Sequence, residues 1–251
     1  MSYEQKVWET IRRNPTLIKF VENPSEKLKK LAVSRNYVSI KYIDGPSEEL
    51  QLMAISTNCM AIAYISNPTE KVQFIVVKTK GDLIKHIKNP SEKIQLAAVK
   101  RTGRAIRYIK KPSEEVQLAA INSTIDSIKY IKNQTRRVKK MVFDYFLKDE
   151  RINPFGMSIN ANFTHIKNPS KRMKFIAINK NPYMLQHIKN PSLELQKKAI
   201  KLLPKTIQYI ENPSEELQLM AVSENPEAIF CIKNPTNRVK DLFIESENAN
   251  S

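Results

Sequence analysis

Apolar and polar positions recur along most of the chain with a period of 22 residues. Two neighbouring copies of the pattern read HIKNPSEKIQLAAV, beginning at His86, and YIKKPSEEVQLAAI, beginning at Tyr108. The prolines of the phrase form two series with this step: Pro24, Pro46, Pro68, Pro90 and Pro112, then Pro169, Pro191, Pro213 and Pro235. Self-similarity of this length is typical of a solenoid, in which each repeat packs only on its neighbours.

Each repeat contains two helical patterns when it is counted from the proline as position 1. Apolar residues at positions 5, 8, 9 and 10, with alanine common at position 9, mark one buried face of a helix about ten residues long. A second start signal at position 13 precedes apolar positions 17 and 20, which predicts a short α or 3₁₀ helix. The sequence therefore predicts an all-α, right-handed solenoid of about ten 22-residue units.

The motif NPSE predicts where each long helix starts. Asn at position 22 is expected to be the N-cap, proline the first helical residue and glutamate the residue that reaches back to the cap. Asn89 should therefore cap its helix, and Lys111 should mark a helix without a cap.

One irregularity divides the repeats. The interval from Gln134 to Pro169 is 35 residues instead of 22. We therefore expect repeats over residues 1–143, an insertion at 144–162, further repeats over 163–244 and a polar tail at 245–251, all in one continuous solenoid. Insertions in repeat proteins are often binding sites, and the candidate partner contacts are Tyr145, Phe146, Arg151 and Phe155. The alternative is that the insertion is a spacer that contacts nothing.

The net charge of the chain suggests a function for this fold. The chain has 42 Lys and Arg against 25 Asp and Glu, a net charge of +17, which attracts polyanions. Lysine-rich genome composition is the alternative explanation, but it does not explain why basic residues recur at positions 18 and 21. A further basic cluster at 136–140 replaces the usual glutamate near a helix start. The predicted nucleic-acid contacts are Lys85, Lys88, Arg107, Lys110, Lys129, Lys132, Arg136, Arg137, Lys167 and Lys189.

Metal binding, catalysis and cofactor binding have little support in the sequence. His86, His165 and His187 all occupy position 19, where other repeats have tyrosine, so they are interpreted as aromatic substitutes and not as metal ligands. Cys59 and Cys231 form no paired motif, and no phosphate-binding loop or hydrolase motif is present. We expect no catalysis, cofactor, metal or small-molecule substrate. Without an 18-residue apolar run or a signal-peptide core, we also expect a cytoplasmic protein with no membrane contact.

The NPSEEVQLAAV-like repeats resemble a family of short helical repeats in bacterial and phage proteins. They also resemble the leucine-rich-repeat variant, in which an α-helix alternates with a 3₁₀ helix, and the HEAT repeat. The resemblance implies the fold and little about function. The leading hypothesis is non-enzymatic binding of nucleic acid or a nucleoprotein complex. The alternative is a protein-binding scaffold for an acidic host protein, which the phage resemblance extends to an inhibitor of a host defence complex such as a nucleic-acid-guided nuclease.

Overall fold

The structure is a computed structural model that describes residues 2–148 and 161–249. All of the secondary structure in these residues is helical: α-helices (α1–α12) and 3₁₀ helices (η1–η9), which alternate in most of the chain. The chain forms two compact units, Met1–Val138 and Lys139–Ser251. The boundary between them falls inside α7 (Arg136–Lys148).

The first unit contains six complete helix pairs before α7 begins. Its α-helices are α1 (Tyr3–Arg13), α2 (Glu26–Arg35), α3 (Glu48–Thr57), α4 (Glu70–Thr79), α5 (Glu92–Arg101) and α6 (Glu114–Ser123). Its 3₁₀ helices are η1 (Pro15–Phe20), η2 (Tyr37–Tyr42), η3 (Cys59–Tyr64), η4 (Gly81–His86), η5 (Gly103–Tyr108) and η6 (Ile125–Tyr130). From α1 to α6 each α-helix packs on the next, and so does each 3₁₀ helix from η1 to η6.

The second unit repeats this arrangement in its regular part. Its α-helices after α7 are α8 (Ala161–Thr164), α9 (Lys171–Lys180), α10 (Leu193–Leu202), α11 (Glu215–Glu224) and α12 (Asn237–Ala249). Its 3₁₀ helices are η7 (Pro182–His187), η8 (Pro204–Tyr209) and η9 (Pro226–Cys231). Helix α12 continues five residues past position 244, where the sequence analysis placed the start of a polar tail.

The core of each unit lies between the row of long helices and the row of 3₁₀ helices. In one repeat it consists of the residues at positions 5, 9, 10, 17 and 20, which are Ile94, Ala98, Val99, Ile106 and Ile109, and all five are buried. Because these slots recur, successive repeats share one continuous apolar layer. The predicted all-α solenoid of alternating long and short helices is confirmed, whereas its right-handed sense stays a prediction.

The predicted helix caps are wrong by two residues. The N-cap is Ser or Thr at position 2, and the hydroxyl of Ser91, for example, accepts a hydrogen bond from the Ile94 amide. Glutamate at position 3 is the first helical residue. In several repeats the asparagine at position 22 instead lies in the turn before the helix and has a positive φ angle, which is +49° at Asn89. Asparagine tolerates this left-handed conformation better than most residues.

Glutamine at position 6 connects neighbouring repeats in a way that the sequence analysis missed. The Gln51 side chain is buried, and its amide Nε2 donates to the carbonyl oxygen of Pro46 at 2.9 Å. Its Oε1 accepts from the backbone N–H of Thr69 in the next repeat at 3.0 Å. Gln117 and Gln218 make the same pair of contacts. These bonds satisfy backbone groups that the turn would otherwise bury unpaired.

Candidate nucleic-acid interface

The 3₁₀ helices present one side to the core and another to solvent. Position 17 lies in the 3₁₀ helix and position 20 directly follows the end of the helix, and both are buried, as at Ile106 and Ile109. Position 18 also lies in the 3₁₀ helix and position 21 lies just beyond its end, and the basic residues at both positions are exposed. The predicted contacts at these slots in the first unit are all exposed: Lys85, Lys88, Arg107, Lys110, Lys129 and Lys132.

Position 18 is basic in five of the six repeats of the first unit, with Ala63 as the exception. We define the basic row as these five exposed residues: Lys19, Lys41, Lys85, Arg107 and Lys129. Lys19 and Lys41 were missed in the sequence analysis because position 21 of their repeats carries Glu22 and Asp44. Considering position 18 alone would have identified them.

Aromatic rings at position 19 lie beside four of the five residues of the basic row, which are Lys19, Lys41, Arg107 and Lys129. The Cζ atom of Arg107 lies 4.7 Å from the ring centroid of Tyr108 and 5.8 Å from that of Tyr130 in the next repeat. The Nζ atom of Lys19 is similarly placed between Phe20, at 4.6 Å, and Tyr42, at 5.8 Å. A cation over an aromatic ring is attracted by the negative face of the ring. The rings therefore favour the observed placement of these four cations.

These aromatic residues lie at the surface and not in the core. Tyr42 and Tyr108 each keep 37% of their surface exposed, and Tyr64 keeps 36%. Where a cation covers a ring, less of that ring face is open to a nucleic-acid base. The arrangement therefore favours contacts with phosphates over base stacking in these repeats.

The basic row contrasts with a second group of cations at the starts of the long helices. There, three of the four cations at position 4 in the first unit pair with the glutamate at position 3 of the preceding repeat, and Lys27 is the exception. Lys71 lies 3.5 Å from Glu48, and Lys93 lies 3.5 Å from Glu70. Arg137 follows the same rule, with its Nη1 atom 3.2 Å from Glu114. Both arginines are exposed, and Arg137 has a partner within the fold, whereas Arg136 pairs with no carboxylate among the described residues.

The residues of the basic row have few such partners. Arg107 has a loose one, with its Nη2 atom 3.8 Å from the Asp82 carboxylate. In the part of the chain that the structure describes, no carboxylate pairs with the other four members of the row, nor with Lys88 or Lys110. The charge of this surface is therefore mostly uncompensated.

Paired cations also affect the carboxylates that they contact. The pKa of Glu114 is lowered, first by a hydrogen bond from Thr135 and then by the bond to Arg137 and its charge. Glu114 is therefore ionised at neutral pH, as a carboxyl group ordinarily is, and it balances the charge of Arg137 at the surface.

The predicted basic residues beyond the insertion lie in the second unit. Lys167 and Lys189 are both exposed at position 21. Position 18 in this unit carries no cation, because its residues are Thr164, Gln186, Gln208 and Phe230. The second unit therefore has lysines at position 21 but no basic row at position 18.

The histidines occupy half-buried or exposed aromatic slots. Burial, followed by the charge of Lys85, lowers the pKa of His86, and burial alone lowers that of His187. Over residues 2–148 and 161–249, no group of three His, Cys, Asp or Glu side chains is arranged to hold a metal ion. Within the same ranges no helix is long and apolar enough to cross a membrane.

The predicted partner contact at Phe146 is wrong. Phe146 is fully buried, and its ring centroid lies 5.1 Å from that of Phe163 and 5.8 Å from that of Phe143. This aromatic cluster is core of the second unit. Tyr145, on the other face of α7, is 46% exposed and stays a candidate contact. Arg151 and Phe155 lie outside the described residues.

Comparison with known proteins identifies no relative. No family model, no curated protein and no solved structure matches this chain.

Proposed function

We propose that this protein is a non-enzymatic binding protein that holds a nucleic acid through the basic row of its first unit. The observation that carries the proposal is the contrast between two sets of cations. Three of the four cations at position 4 of the first unit, Lys71, Lys93 and Arg137, pair with glutamates, whereas those of the basic row lie along an exposed edge with only Arg107 loosely paired. A fold that neutralises one set and leaves the other open favours an external anion at the open set.

The row suits a linear polyanion with regularly placed charges. Helices in adjacent repeats lie about 8–10 Å apart, so a row over six repeats extends roughly 40–50 Å. Each lysine presents a point charge to a phosphate, and Arg107 presents a planar fork. Contacts of this kind position a nucleic acid without reading its bases, so we expect binding with little sequence preference.

Salt dependence provides the test. Binding of fluorescently labelled single-stranded and double-stranded oligonucleotides is measured by anisotropy over a range of salt concentrations. Each phosphate contact contributes about −0.7 to −0.9 to the slope of log affinity against log salt. Replacing all five residues of the basic row by glutamine should therefore flatten the slope by about 3.5 to 4.5 units and weaken binding to all sequences alike.

The matched control removes five basic residues that already form ion pairs in the first unit, so both variants lose equal charge. These are Lys30, Lys71, Lys93, Arg104 and Arg137. We expect the control to keep most of the slope and affinity. Equal losses in both variants would show that net charge alone governs binding. Absence of binding by the unaltered protein at low salt would refute the proposal.

The alternative role, binding a protein partner, is favoured by a different surface. Between two long helices of the first unit lies a groove with an apolar floor and basic margins.

A further inference from the structure

We infer that the groove between α4 and α5 is a second binding site, which takes an acidic protein segment through one large apolar side chain. The groove has a volume of about 620 Å³. Its floor is formed by Phe74, Leu96 and Ala97. The site lies on the long helices, whereas the basic row lies on the 3₁₀ helices.

A difference in side-chain size at position 8 accompanies the groove. In α2, α3 and α4 this position carries Leu31, Met53 and Ile75, but in α5 it carries Ala97. Position 7 of the neighbouring helix α4 carries the large ring of Phe74, which remains partly exposed. The small alanine beside the large ring leaves room above the floor, so one additional apolar side chain could be buried there.

The margin of the groove determines the charge of its occupant. The Nζ atoms of Lys78 and Lys93 lie 5.3 Å and 5.5 Å from the centroid of the Phe74 ring. Lys100 and Arg101 also line the groove, against the single carboxylate of Glu92. Lys93 pairs with Glu70, but within the described residues Lys78 and Lys100 have no carboxylate partner. Charge complementarity therefore selects an acidic segment, and the apolar floor favours a leucine or an aromatic anchor over a phosphate chain.

The second unit repeats the central element of this arrangement. Phe175 occupies the same position 7 in α9, and the Nζ atom of Lys198 lies 5.9 Å from its ring centroid. A groove between α9 and α10, about 750 Å³ in volume, is lined by Phe175 together with Lys171, Arg172 and Lys174. In both units a phenylalanine at this slot is thus combined with lysines and an open groove.

The probe for the first-unit groove is a fluorescein-labelled peptide in which one leucine is flanked by glutamates, and its binding is followed by anisotropy. Ala97→Leu fills the groove without changing charge, and the neighbouring repeats show that leucine, methionine and isoleucine fit this slot. We expect the affinity to fall about tenfold or more, which is the value of burying one leucine side chain. Ala119→Leu, at the same slot of α6, is the matched control and should bind normally.

If Ala97→Leu lowers the melting temperature too far for the binding measurement, a second variant tests the same site. Lys78→Gln with Lys100→Gln should weaken binding severalfold and reduce its salt dependence, while the groove stays open. A peptide with serine in place of the leucine should bind weakly. No binding of the leucine peptide at low salt, or equal binding by Ala97→Leu, would overturn the inference.

Two further measurements separate this site from the basic row. The glutamine variant of the basic row should bind the peptide as the unaltered protein does, whether or not that row binds nucleic acid. An excess of oligonucleotide should leave the peptide bound. Displacement of the peptide would mean that one electrostatic surface serves both ligands, and the separate groove site would then be wrong.

Discussion

The two units of this protein are built from the same 22-residue repeat, but the edges formed by their 3₁₀ helices differ in charge. Residues 1–138 contain 25 Lys and Arg against 13 Asp and Glu, a net charge of +12, whereas residues 139–251 contain 17 against 12, a net charge of +5. In the first unit, position 18 is basic in five repeats and position 19 is aromatic in four of those five. In the second unit position 18 is neutral, as at Gln186 and Gln208.

The comparison distinguishes the positions that make the fold from those that are free to carry function. Positions 5, 9, 10 and 17 are apolar in both units because the solenoid has to bury them. Position 18 faces solvent, so no packing requirement fixes its residue. Uniform lysine enrichment would not produce a cation that recurs at this position in one unit and is absent from the other, and this difference is the reason for the proposed ligand.

The cores of the two units also differ, and this difference predicts the largest stability effect. The buried residues of the first unit are mainly aliphatic, whereas the second unit contains the cluster of Phe143, Phe146 and Phe163. Phe146→Ala should lower the free energy of unfolding by about 3–5 kcal/mol, measured by urea denaturation. Because contacts in a solenoid join nearest neighbours, hydrogen exchange should rise around α9 and stay unchanged in α5.

Tyr145→Ala is the adjacent control for the aromatic cluster. Its side chain is 46% exposed, and the change should stay within about 0.5 kcal/mol. If the two substitutions destabilised equally, the assignment of Phe146 to the core would be wrong.

A smaller and equal effect is expected where the units are alike. Asn89 and Asn190 have φ angles of +49° and +47° at the same slot. Asn89→Ala and Asn190→Ala should each cost about 1–2 kcal/mol, because alanine disfavours the left-handed region, whereas glycine should be tolerated. Thermal melting measures both.

The helix caps complete this comparison. Ser91→Ala and Ser192→Ala should each cost about 1 kcal/mol through loss of the N-cap. Lys111→Asn should be neutral, since position 22 is not the cap. If Lys111→Asn clearly stabilised the protein, the N-cap would have to be assigned to position 22 and not to position 2.

The buried positions were predictable from the sequence because period and hydrophobicity determine them together. The cap was not, since the motif NPSE satisfies the rules for a helix start with either asparagine or serine as the cap. The choice depends on the turn between repeats, which uses the left-handed conformation of residues such as Asn89.

Phe146 was misassigned because the period breaks there, and its burial depends on Phe163, which follows the insertion. At the candidate site, the basic positions were predictable from the sequence. The ion pair between Arg137 and Glu114 was not, because it depends on how neighbouring repeats pack.

The smallest expected effect tests whether the charge of the basic row reaches a titrating group. His86 and His187 share position 19, and burial lowers both pKa values, but only His86 is also affected by a neighbouring cation, Lys85. Lys85→Gln should therefore raise the pKa of His86 and leave that of His187 unchanged, as measured by NMR titration. Added salt should act in the same way, because it screens the charge of Lys85 and does not reverse burial.

The same lowered pKa values affect stability in a defined direction. The unfolded imidazole titrates near 6.5, and the folded one titrates below that value, so the unfolded state binds more protons between the two. The stabilising contribution is therefore present above about pH 6.5 and is lost as the pH falls through the folded pKa. His86→Tyr, which introduces the common residue of this slot, should remove its share of this pH dependence. An unchanged acid transition in His86→Tyr, together with equal responses of both histidines to Lys85→Gln, would show that His86 does not sense the basic row.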